Sequence, residues 1–266
     1  MFNRSLLILF SLSTIIFGKW ENGNVIRYAH SHNDYLNRSP LLSALEHGFK
    51  SIEVDIILYK GKLYVGHDWW QIKKDNVIEK LYLNPLWDIF LDNGGYIYEN
   101  DDPLYLLVDI KTSAKDTYPV LEKILNNYKP MLSRVVSDAL VCGSVKIILS
   151  GNKPELRRIE DIEERLVFID GRLSDIGKNI SNKIIPMISA DWSDNFNWNG
   201  RGQFPDTELS RLNELVQKVH LEKKELRFWG SPDNQAGWQI MHSTGVDLIN
   251  TDKIFEYSDY SDKYKE

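Results

Sequence analysis

Short apolar runs alternate along the chain with longer amphipathic stretches. The runs are rich in Ile, Leu and Val, which predicts buried β-strands. They are residues 25–29, 51–57, 105–110, 145–149, 166–169, 184–189, 226–229 and 246–249. Apolar positions three and four residues apart predict helices in the intervening stretches 40–47, 118–128, 154–165, 207–223 and 232–243.

Eight predicted strands that alternate with helices indicate the α/β class and a (β/α)8 TIM barrel. An open doubly wound sheet is the alternative, but no glycine-rich phosphate loop follows the first strand. No repeat, linker or shift in composition marks a second domain, so we expect residues 19–266 to form a single barrel domain. Residues 68–103 read as an insertion, with 81–87 partly ordered, and the polar tail 256–266 is expected to fray.

The first 18 residues have the pattern of a secretory signal. Arg4 precedes an apolar run that ends at Gly18, although no A-x-A cleavage pattern follows. The run is shorter than the roughly 20 residues that span a bilayer. A cleaved signal peptide, residues 1–18, is therefore favoured over a membrane anchor, and the protein is expected to be secreted or periplasmic.

Composition excludes some classes of partner and site. The net charge of −6 gives no reason to expect nucleic acid or another polyanion as a partner. Cys142 is the single cysteine, so an internal disulfide and a cysteine-based metal site are both excluded. Its apolar neighbours predict a buried thiol without a functional role.

Carboxylates stand in the predicted strands where a plain core has apolar residues. Glu53 and Asp55 are two apart, so their side chains point to the same side of the strand, and Asp109 lies in the next strand. Unpaired buried carboxylates are costly, and carboxylate oxygens are the ligands that hard cations prefer. The triad therefore predicts one divalent cation, Ca²⁺ or Mg²⁺. The alternative is a salt-bridge network with Lys111 and Arg27.

Polar or aromatic side chains also end the other strands, at the end of a barrel that carries active sites. His30 ends the first strand and His67 follows the second, and neutral imidazole can give or take a proton near pH 7. The pair predicts acid–base catalysis, with His30 favoured as the base and His67 as the acid. His32 would complete the H-x-H of an amidohydrolase barrel, but Asp170 and Asp191 stand where that enzyme class needs further histidines.

Five tryptophans are candidates to wall a substrate pocket, some of them being expected to serve packing instead. They are Trp69, Trp70, Trp192, Trp198 and Trp229.

Several motifs, read together, carry a resemblance to one family. HSHNDY, SIEVDI and LYVGHD are similar to the His, Glu-x-Asp and His-Asp signature of the glycerophosphodiester phosphodiesterase and phosphatidylinositol phospholipase C-like barrel superfamily. LLVDIKT resembles the third-strand motif of its sphingomyelinase D-like members, and GVDLINTD the closing strand of glycerophosphodiesterases. HSHNDY, LYLNPL, VDIKT and FWGSPD resemble the subgroup typified by the altered-inheritance-of-mitochondria protein. The resemblance covers essentially the whole chain after residue 18.

The resemblance implies roles for individual residues. HSHNDY stands where true glycerophosphodiesterases have HRG…ENT, and Asp109 stands where they have Glu. The implied catalytic pair is His30 and His67, the implied metal ligands are Glu53, Asp55 and Asp109, and Lys111 is expected near the phosphate. Asn33 and Trp229 are further candidates for phosphate or substrate binding.

The sequence therefore predicts an exported phosphoric diester hydrolase that depends on one divalent cation and no other cofactor. Its expected substrate is a glycerophosphodiester, a phospholipid or a related phosphodiester, small or lipid, with any membrane contact made through the substrate. No nucleic-acid partner is expected and no oligomeric state is predicted. The alternative is a barrel that binds a phosphorylated ligand or a glycan without turning it over.

Overall fold

A computed structural model of the protein describes residues 25–98 and 102–264. The predicted signal segment, residues 1–18, lies outside the described residues. The strands are β1 Ile26–Ser31, β2 Phe49–Tyr59, β3 Lys62–Val65, β4 Leu104–Ile110, β5 Arg134–Val136, β6 Ala139–Val141, β7 Val145–Gly151, β8 Glu164–Arg165, β9 Val167–Gly171, β10 Met187–Asp191, β11 Glu225–Trp229 and β12 Leu248–Thr251. The helices are α1 Leu42–Glu46, α2 Asn84–Asp92, α3 Ala114–Leu125, α4 Leu156–Glu160, α5 Asp206–Leu221, α6 Gln235–Thr244 and α7 Ile254–Ser261.

Eight parallel strands close into a barrel. Their order around it is β1, β2, β4, β7, β9, β10, β11 and β12, and β1 pairs with both β2 and β12. The α/β TIM barrel predicted from the alternation of strands and helices is thereby confirmed. The described residues 25–98 and 102–264 include no helix that is both long enough and apolar enough to cross a bilayer.

The inside of the barrel changes from apolar to polar along the strands. Leu107, Ile148, Phe168, Met187 and Leu248 belong to one buried apolar cluster. Side chains two apart share a face of a strand, so the same interior face continues two residues further on. Those next positions on β4, β7, β9, β10 and β12 are Asp109, Ser150, Asp170, Ser189 and Asn250. The fold thus places a ring of polar groups at the carboxyl ends of the strands.

A hairpin brings one further segment to this polar end. β2 continues past Asp55 and turns at Lys60 and Gly61, whose φ angles of 47° and 75° suit a two-residue type I′ turn. β3 then returns antiparallel to β2, and the Gly66 amide donates to the Asp55 carbonyl at 3.1 Å. The residue that follows, His67, therefore lies beside the carboxyl end of the second barrel strand.

Two predictions made from local sequence patterns, one of a helix and one of a buried thiol, differ from the structure. The helix expected over residues 154–165 is only α4, because β8 at its end pairs with β5 in a small three-stranded sheet with β6. Pairing between residues this far apart leaves no local periodicity to detect. Cys142 follows β6 and is exposed, so the prediction of a buried thiol was wrong.

The carboxyl-terminal segment was also predicted wrongly. It forms α7, followed by a 3₁₀ turn at Asp262–Tyr264, rather than a frayed tail. Tyr257 and Tyr260 lie on one face of α7, with ring centroids 5.2 and 5.4 Å from that of Trp238. In the predicted insertion, a π-helix at Glu79–Leu83 continues into α2, which confirms order over residues 81–87.

Candidate functional site

Three carboxylates meet at the carboxyl ends of β2 and β4. Glu53 and Asp55 do lie on one side of β2, and Asp109 stands opposite Asp55 in the register of the two strands. One oxygen of each lies within 4.8 Å of the others. Glu53 and Asp55 are buried and Asp109 is partly buried, so the three negative charges share a small volume with little water.

The residues of this triad fit a hard divalent cation. Oδ1 of Asp55 is buried and accepts no hydrogen bond from any residue within 25–98 and 102–264. Burial and the nearby charges of Asp55 and Glu53 raise the pKa of Asp109 despite the opposing charge of Lys111. Both features indicate carboxylates that need more positive charge, and an oxygen-only ligand set favours Ca²⁺ or Mg²⁺. The triad could therefore bind a metal.

Lys111 already supplies part of that charge. Its Nζ lies 3.2 Å from Asp55 Oδ2 and 3.2 Å from Asp109 Oδ1. Burial opposes the charged form, but the two carboxylates outweigh it and raise the pKa of Lys111. The ion-pair alternative is thus present in part. Arg27 takes no part in it, because it is exposed and pairs with Asp102 at 3.6 Å.

Sequence reasoning missed Arg227, the charged residue of β11 that faces this cluster. Its guanidinium is buried, lies 2.5 Å from Glu53 Oε2 and also contacts His30 Nε2. Burial disfavours ionisation of Glu53, yet the charge of Arg227 holds its pKa well below the usual range. The signal was an arginine two residues before Trp229, between the apolar residues Leu226 and Phe228, where alternation points it to the same side of the strand as Trp229.

His30 is completely buried beneath the triad. Its Nδ1 lies 2.7 Å from Ser51 Oγ, and its Nε2 lies 3.0 Å from Glu53 Oε2. Burial, reinforced by the charge of Arg227, lowers the pKa of His30 to about 4. The imidazole is therefore neutral near pH 7, and Arg227 donates to both acceptors, the carboxylate and the unprotonated Nε2.

His67 stands at the rim with its side chain about half exposed. Its Nδ1 lies 2.9 Å from Asp55 Oδ2, which orients the ring. The loop is fixed by Gln71, whose Oε1 accepts the backbone amides of His67 at 2.6 Å and Asp68 at 3.0 Å. Gly66 has a φ of 150°, and a Cβ there would lie 3.1 Å from the Cβ of Gln71, so the loop favours glycine.

His32 lies closer to the triad than the sequence indicated. Its Nδ1 is 2.8 Å from Asp252 Oδ1, and its Nε2 is 4.0 Å from Glu53 Oε1. Burial alone would lower its pKa, but the bond to Asp252 and the charge of Glu53 raise it. His32 is thus a second imidazole at the site, although its partners are carboxylates and not the further histidines of an amidohydrolase.

Asn33 and Tyr35 complete the wall beside Asp55. The Tyr35 hydroxyl lies 2.9 Å from Asp55 Oδ2 and 3.1 Å from Asn33 Oδ1. Asn33 has a φ of 47°, which turns the chain sharply after β1. The predicted substrate contact Asn33 therefore adjoins the carboxylate triad, and Tyr35, which sequence reasoning did not single out, hydrogen-bonds to Asp55.

The predicted substrate residue Trp229 lies on another part of the mouth. Its Nε1 donates to Asp191 Oδ2 at 3.1 Å, and the guanidinium of Arg172 lies 5.1 Å from the ring centroid. Arg172 and Ser150 both bond Asp170 Oδ2, at 2.7 and 2.8 Å. Polar groups thus continue around the mouth through the ends of β7, β9, β10 and β11.

The other tryptophans divide between packing and exposure. Trp192 and Trp198 are buried against Phe228 and Phe204, with ring centroids 5.6 and 5.0 Å apart. They belong to the core and do not wall a pocket. Trp69 and Trp70 are exposed beside the loop of His67.

Comparisons with known proteins point to one family. Residues 22–170 match the AIM6-like phosphodiesterase domain. The altered inheritance of mitochondria protein 6 homolog of Arthroderma benhamiae is 24% identical over 257 residues, covering 85% of this chain and 81% of the relative. The altered inheritance of mitochondria protein 6 of Eremothecium gossypii is 28% identical over 268 residues, covering 86% of this chain and 68% of the relative.

The fold has counterparts among solved structures. A glycerophosphodiester phosphodiesterase from Parabacteroides distasonis superposes with a TM-score of 0.53 at 12% identity, covering 91% of this chain and all of that one (100%). At that identity the likeness speaks for the barrel fold alone. The family match extends over more than half of the chain and includes all three carboxylates of the triad. This chain therefore belongs to the AIM6-like phosphodiesterase domain family.

Proposed function

We propose that this protein is a metal-dependent phosphodiesterase that acts by acid–base catalysis. The observation that carries the proposal is the joint placement of two imidazoles on the carboxylate triad. His30 Nε2 lies 3.0 Å from Glu53 Oε2, with Arg227 donating to both, and His67 Nδ1 lies 2.9 Å from Asp55 Oδ2. A structural ion-pair network has no need for imidazoles at two of its carboxylates.

Glu53, Asp55 and Asp109 would hold the divalent cation, Ca²⁺ or Mg²⁺. When bound, such an ion supplies positive charge to a nonbridging phosphate oxygen and to the charge that develops there. Lys111 lies 3.2 Å from two of the carboxylates, so its ammonium is placed to contact another oxygen of the same phosphate. The chain's cations and the ion would together offset the negative charge of the diester.

His67 is suited to protonate the leaving alkoxide. Asp55 holds its Nδ1, and the side chain is about half exposed, so a substrate bound at the triad could reach the ring. His30 has the opposite character. Its lowered pKa, about 4, keeps it unprotonated near pH 7, the form that accepts a proton.

For His30 to act as the base, Arg227 has to release its Nε2. The substrate phosphate offers the guanidinium a stronger partner than a neutral ring nitrogen, because it carries a negative charge. His32 is the alternative base, since its Nε2 lies 4.0 Å from Glu53 and its side chain is partly exposed. The nucleophile is water or a neighbouring substrate hydroxyl, the latter giving a cyclic phosphate.

The test is hydrolysis of bis(p-nitrophenyl) phosphate and of an alkyl diester with Ca²⁺ or Mg²⁺ and with chelator. We expect turnover only with the ion, and loss of either proton-transfer group to cost about 10²–10⁴-fold. p-Nitrophenolate leaves without a proton, so His67→Ala should impair the alkyl diester far more than the p-nitrophenyl diester. His30→Ala should impair both, and His32→Ala serves as its comparison.

Each contrary outcome has a distinct meaning. If His32→Ala and not His30→Ala abolishes turnover, the base is His32. An alkyl diesterase activity that survives His67→Ala removes His67 from the mechanism. If the folded protein binds a phosphodiester but turns over neither substrate with either ion, the protein is a binding barrel and the proposal is wrong.

A further inference from the structure

Four large apolar side chains lie exposed together on the rim of the barrel mouth. Trp70 is 80% exposed, Leu36 65%, Trp69 55% and Tyr59 42%. The rings of Tyr59 and Trp69 have centroids 5.9 Å apart, and Leu36 and Trp70 line the same cavity of about 320 Å³. We call this surface, Leu36, Tyr59, Trp69 and Trp70, the aromatic rim.

The aromatic rim differs from the most exposed large apolar residues elsewhere on the described part of the chain. Leu221 and Phe255 are also exposed, but they stand on separate helices, α5 and α7. Single exposed apolar residues are ordinary, whereas a contiguous group of them marks a surface that contacts something else. Tryptophan carries a large apolar surface, so leaving two adjacent tryptophans in water forgoes the free energy that their burial would contribute. Folding alone does not explain that arrangement.

The surroundings of the aromatic rim are basic in a chain whose net charge is −6. Residues 56–76 contain four lysines and two aspartates, a local excess of positive charge. All four lysines are exposed: Lys60, Lys62, Lys73 and Lys74. One of the aspartates, Asp75, is offset by Lys80 at 3.7 Å. Exposed apolar side chains flanked by lysines complement a partner that has an apolar interior beneath an anionic surface layer.

Contacts within the hairpin and the following loop position the aromatic rim beside His67. Tyr59 lies at the tip of the β2–β3 hairpin, whose two-residue turn places Lys60 Nζ 5.1 Å from the Tyr59 ring centroid. Trp69 and Trp70 lie in the 3₁₀ turn whose start is fixed by the hydrogen bonds that the His67 and Asp68 amides donate to Gln71 Oε1. The surface is therefore formed before any partner binds.

We propose that the aromatic rim docks the protein on an anionic lipid surface. Tryptophan and tyrosine favour the level of lipid headgroups, where an apolar ring and a polar edge are both satisfied. Each lysine near an anionic surface strengthens binding by about fivefold. A lipid phosphodiester would then reach His67 from the membrane; that consequence rests on the proposed function, whereas the docking does not.

The test uses the full chain and vesicles in EDTA, so that no turnover and no ion bridging contribute. Vesicles of phosphatidylcholine alone are compared with vesicles that also contain phosphatidylserine, by co-sedimentation. We expect binding to the mixed vesicles that salt weakens, and a loss of about tenfold or more in W69S/W70S. Lys73→Gln should lose about fivefold. Leu221→Ser is the matched control, an exposed apolar residue on α5, and should bind like the wild type.

Several results would overturn the inference. The first is a wild type that does not bind the mixed vesicles. The second is a folded W69S/W70S variant that binds them as well as the wild type. The third is a Leu221→Ser variant that loses as much binding as W69S/W70S. A dimer that W69S/W70S dissociates would make the aromatic rim a protein interface instead. Should that variant fail to fold, brominated lipid must still quench the wild-type tryptophan fluorescence, and an absence of quenching refutes docking. The proposed function is tested separately, by hydrolysis of soluble bis(p-nitrophenyl) phosphate without a membrane. Failure of the docking inference and failure of the proposed function can therefore be told apart.

Discussion

At the scale of single residues, the site is organised by ion pairs between its three carboxylates and two cationic side chains. Glu53 is set against Arg227, and Asp55 and Asp109 are set against Lys111. Burying any of these groups alone would be costly, because water no longer solvates the charge. These ion pairs offset two of the three negative charges that the carboxylates bring into the barrel interior.

Arg227→Gln tests the first of these pairs. Removing the guanidinium leaves Glu53 as a buried carboxylate without its cation, which typically costs about 3–5 kcal/mol. We expect a loss of that size in urea denaturation with chelator present, and a smaller loss when a divalent cation is added. Replacing both partners, R227Q/E53Q, should recover part of the stability. A single variant as stable as the wild type would show that the pair is not stabilising.

The neutral state of His30 predicts how stability depends on pH. Its pKa is about 4 in the folded protein against an ordinary value of 6.5, so the unfolded chain binds more protons between these values. Stability should therefore rise with pH across that window, by about 3 kcal/mol at most. Glu53, whose pKa is also lowered, acts in the same sense at more acidic pH.

The comparison that isolates this effect is wild type against His30→Asn, by urea denaturation in chelator across the window. His32 has a raised pKa and acts in the opposite sense, so it lowers stability as pH rises above 6.5. Its contribution is common to both proteins. A wild-type profile with the same slope as His30→Asn would mean that His30 is not held neutral by the fold.

At the scale of elements, two segments owe their position to contacts rather than to propensity. The β2–β3 hairpin carries His67 back to Asp55, and α7 covers the barrel beside α6 through its tyrosines. Both segments are short, and a short segment gains most of its stability from packing. Local sequence patterns therefore describe them poorly.

A pair of substitutions on α7 tests that packing. Tyr257 is buried against Trp238 and Phe49, whereas Phe255 on the same helix is 62% exposed. Tyr257→Ala should lower the free energy of unfolding by about 3–5 kcal/mol, as for other buried aromatic residues. Phe255→Ala should change it by no more than about 0.5 kcal/mol. Equal effects of the two substitutions in urea denaturation would contradict the arrangement of α7.

At the scale of the whole molecule, the closed barrel brings chemistry from distant parts of the chain to one mouth. Four residues that are far apart in sequence meet at β2. His30 and Arg227 lie beside Glu53, His67 lies beside Asp55, and Asp109 stands opposite Asp55 in the register of β2 and β4. Closure is what places β11 within reach of β2. The site therefore depends on the complete ring of strands and not on any one segment.

A further prediction at the scale of the whole molecule concerns export. The basic start and short apolar run of residues 1–18 lead us to propose a cleaved signal peptide. Mass spectrometry of material exported by the native host should give a mass that lacks these residues. Exported protein that retains Met1 would refute the cleavage, and retention in a membrane fraction through this run would favour the anchor.

The sequence by itself determined the fold class and the positions of most chemistry. Apolar runs separated by amphipathic stretches predict parallel strands and helices, and the spacing of Glu53 and Asp55 places both on one face of a strand. These features depend on neighbours in sequence, so the pattern reveals them.

Tertiary structure decided which distant groups pair. Arg227 on Glu53, His32 beside the triad, β8 in the small sheet and α7 against Trp238 arise from long-range contacts. Such contacts form only when the barrel closes, because their free energy comes from burial and charge pairing between strands that no local pattern connects.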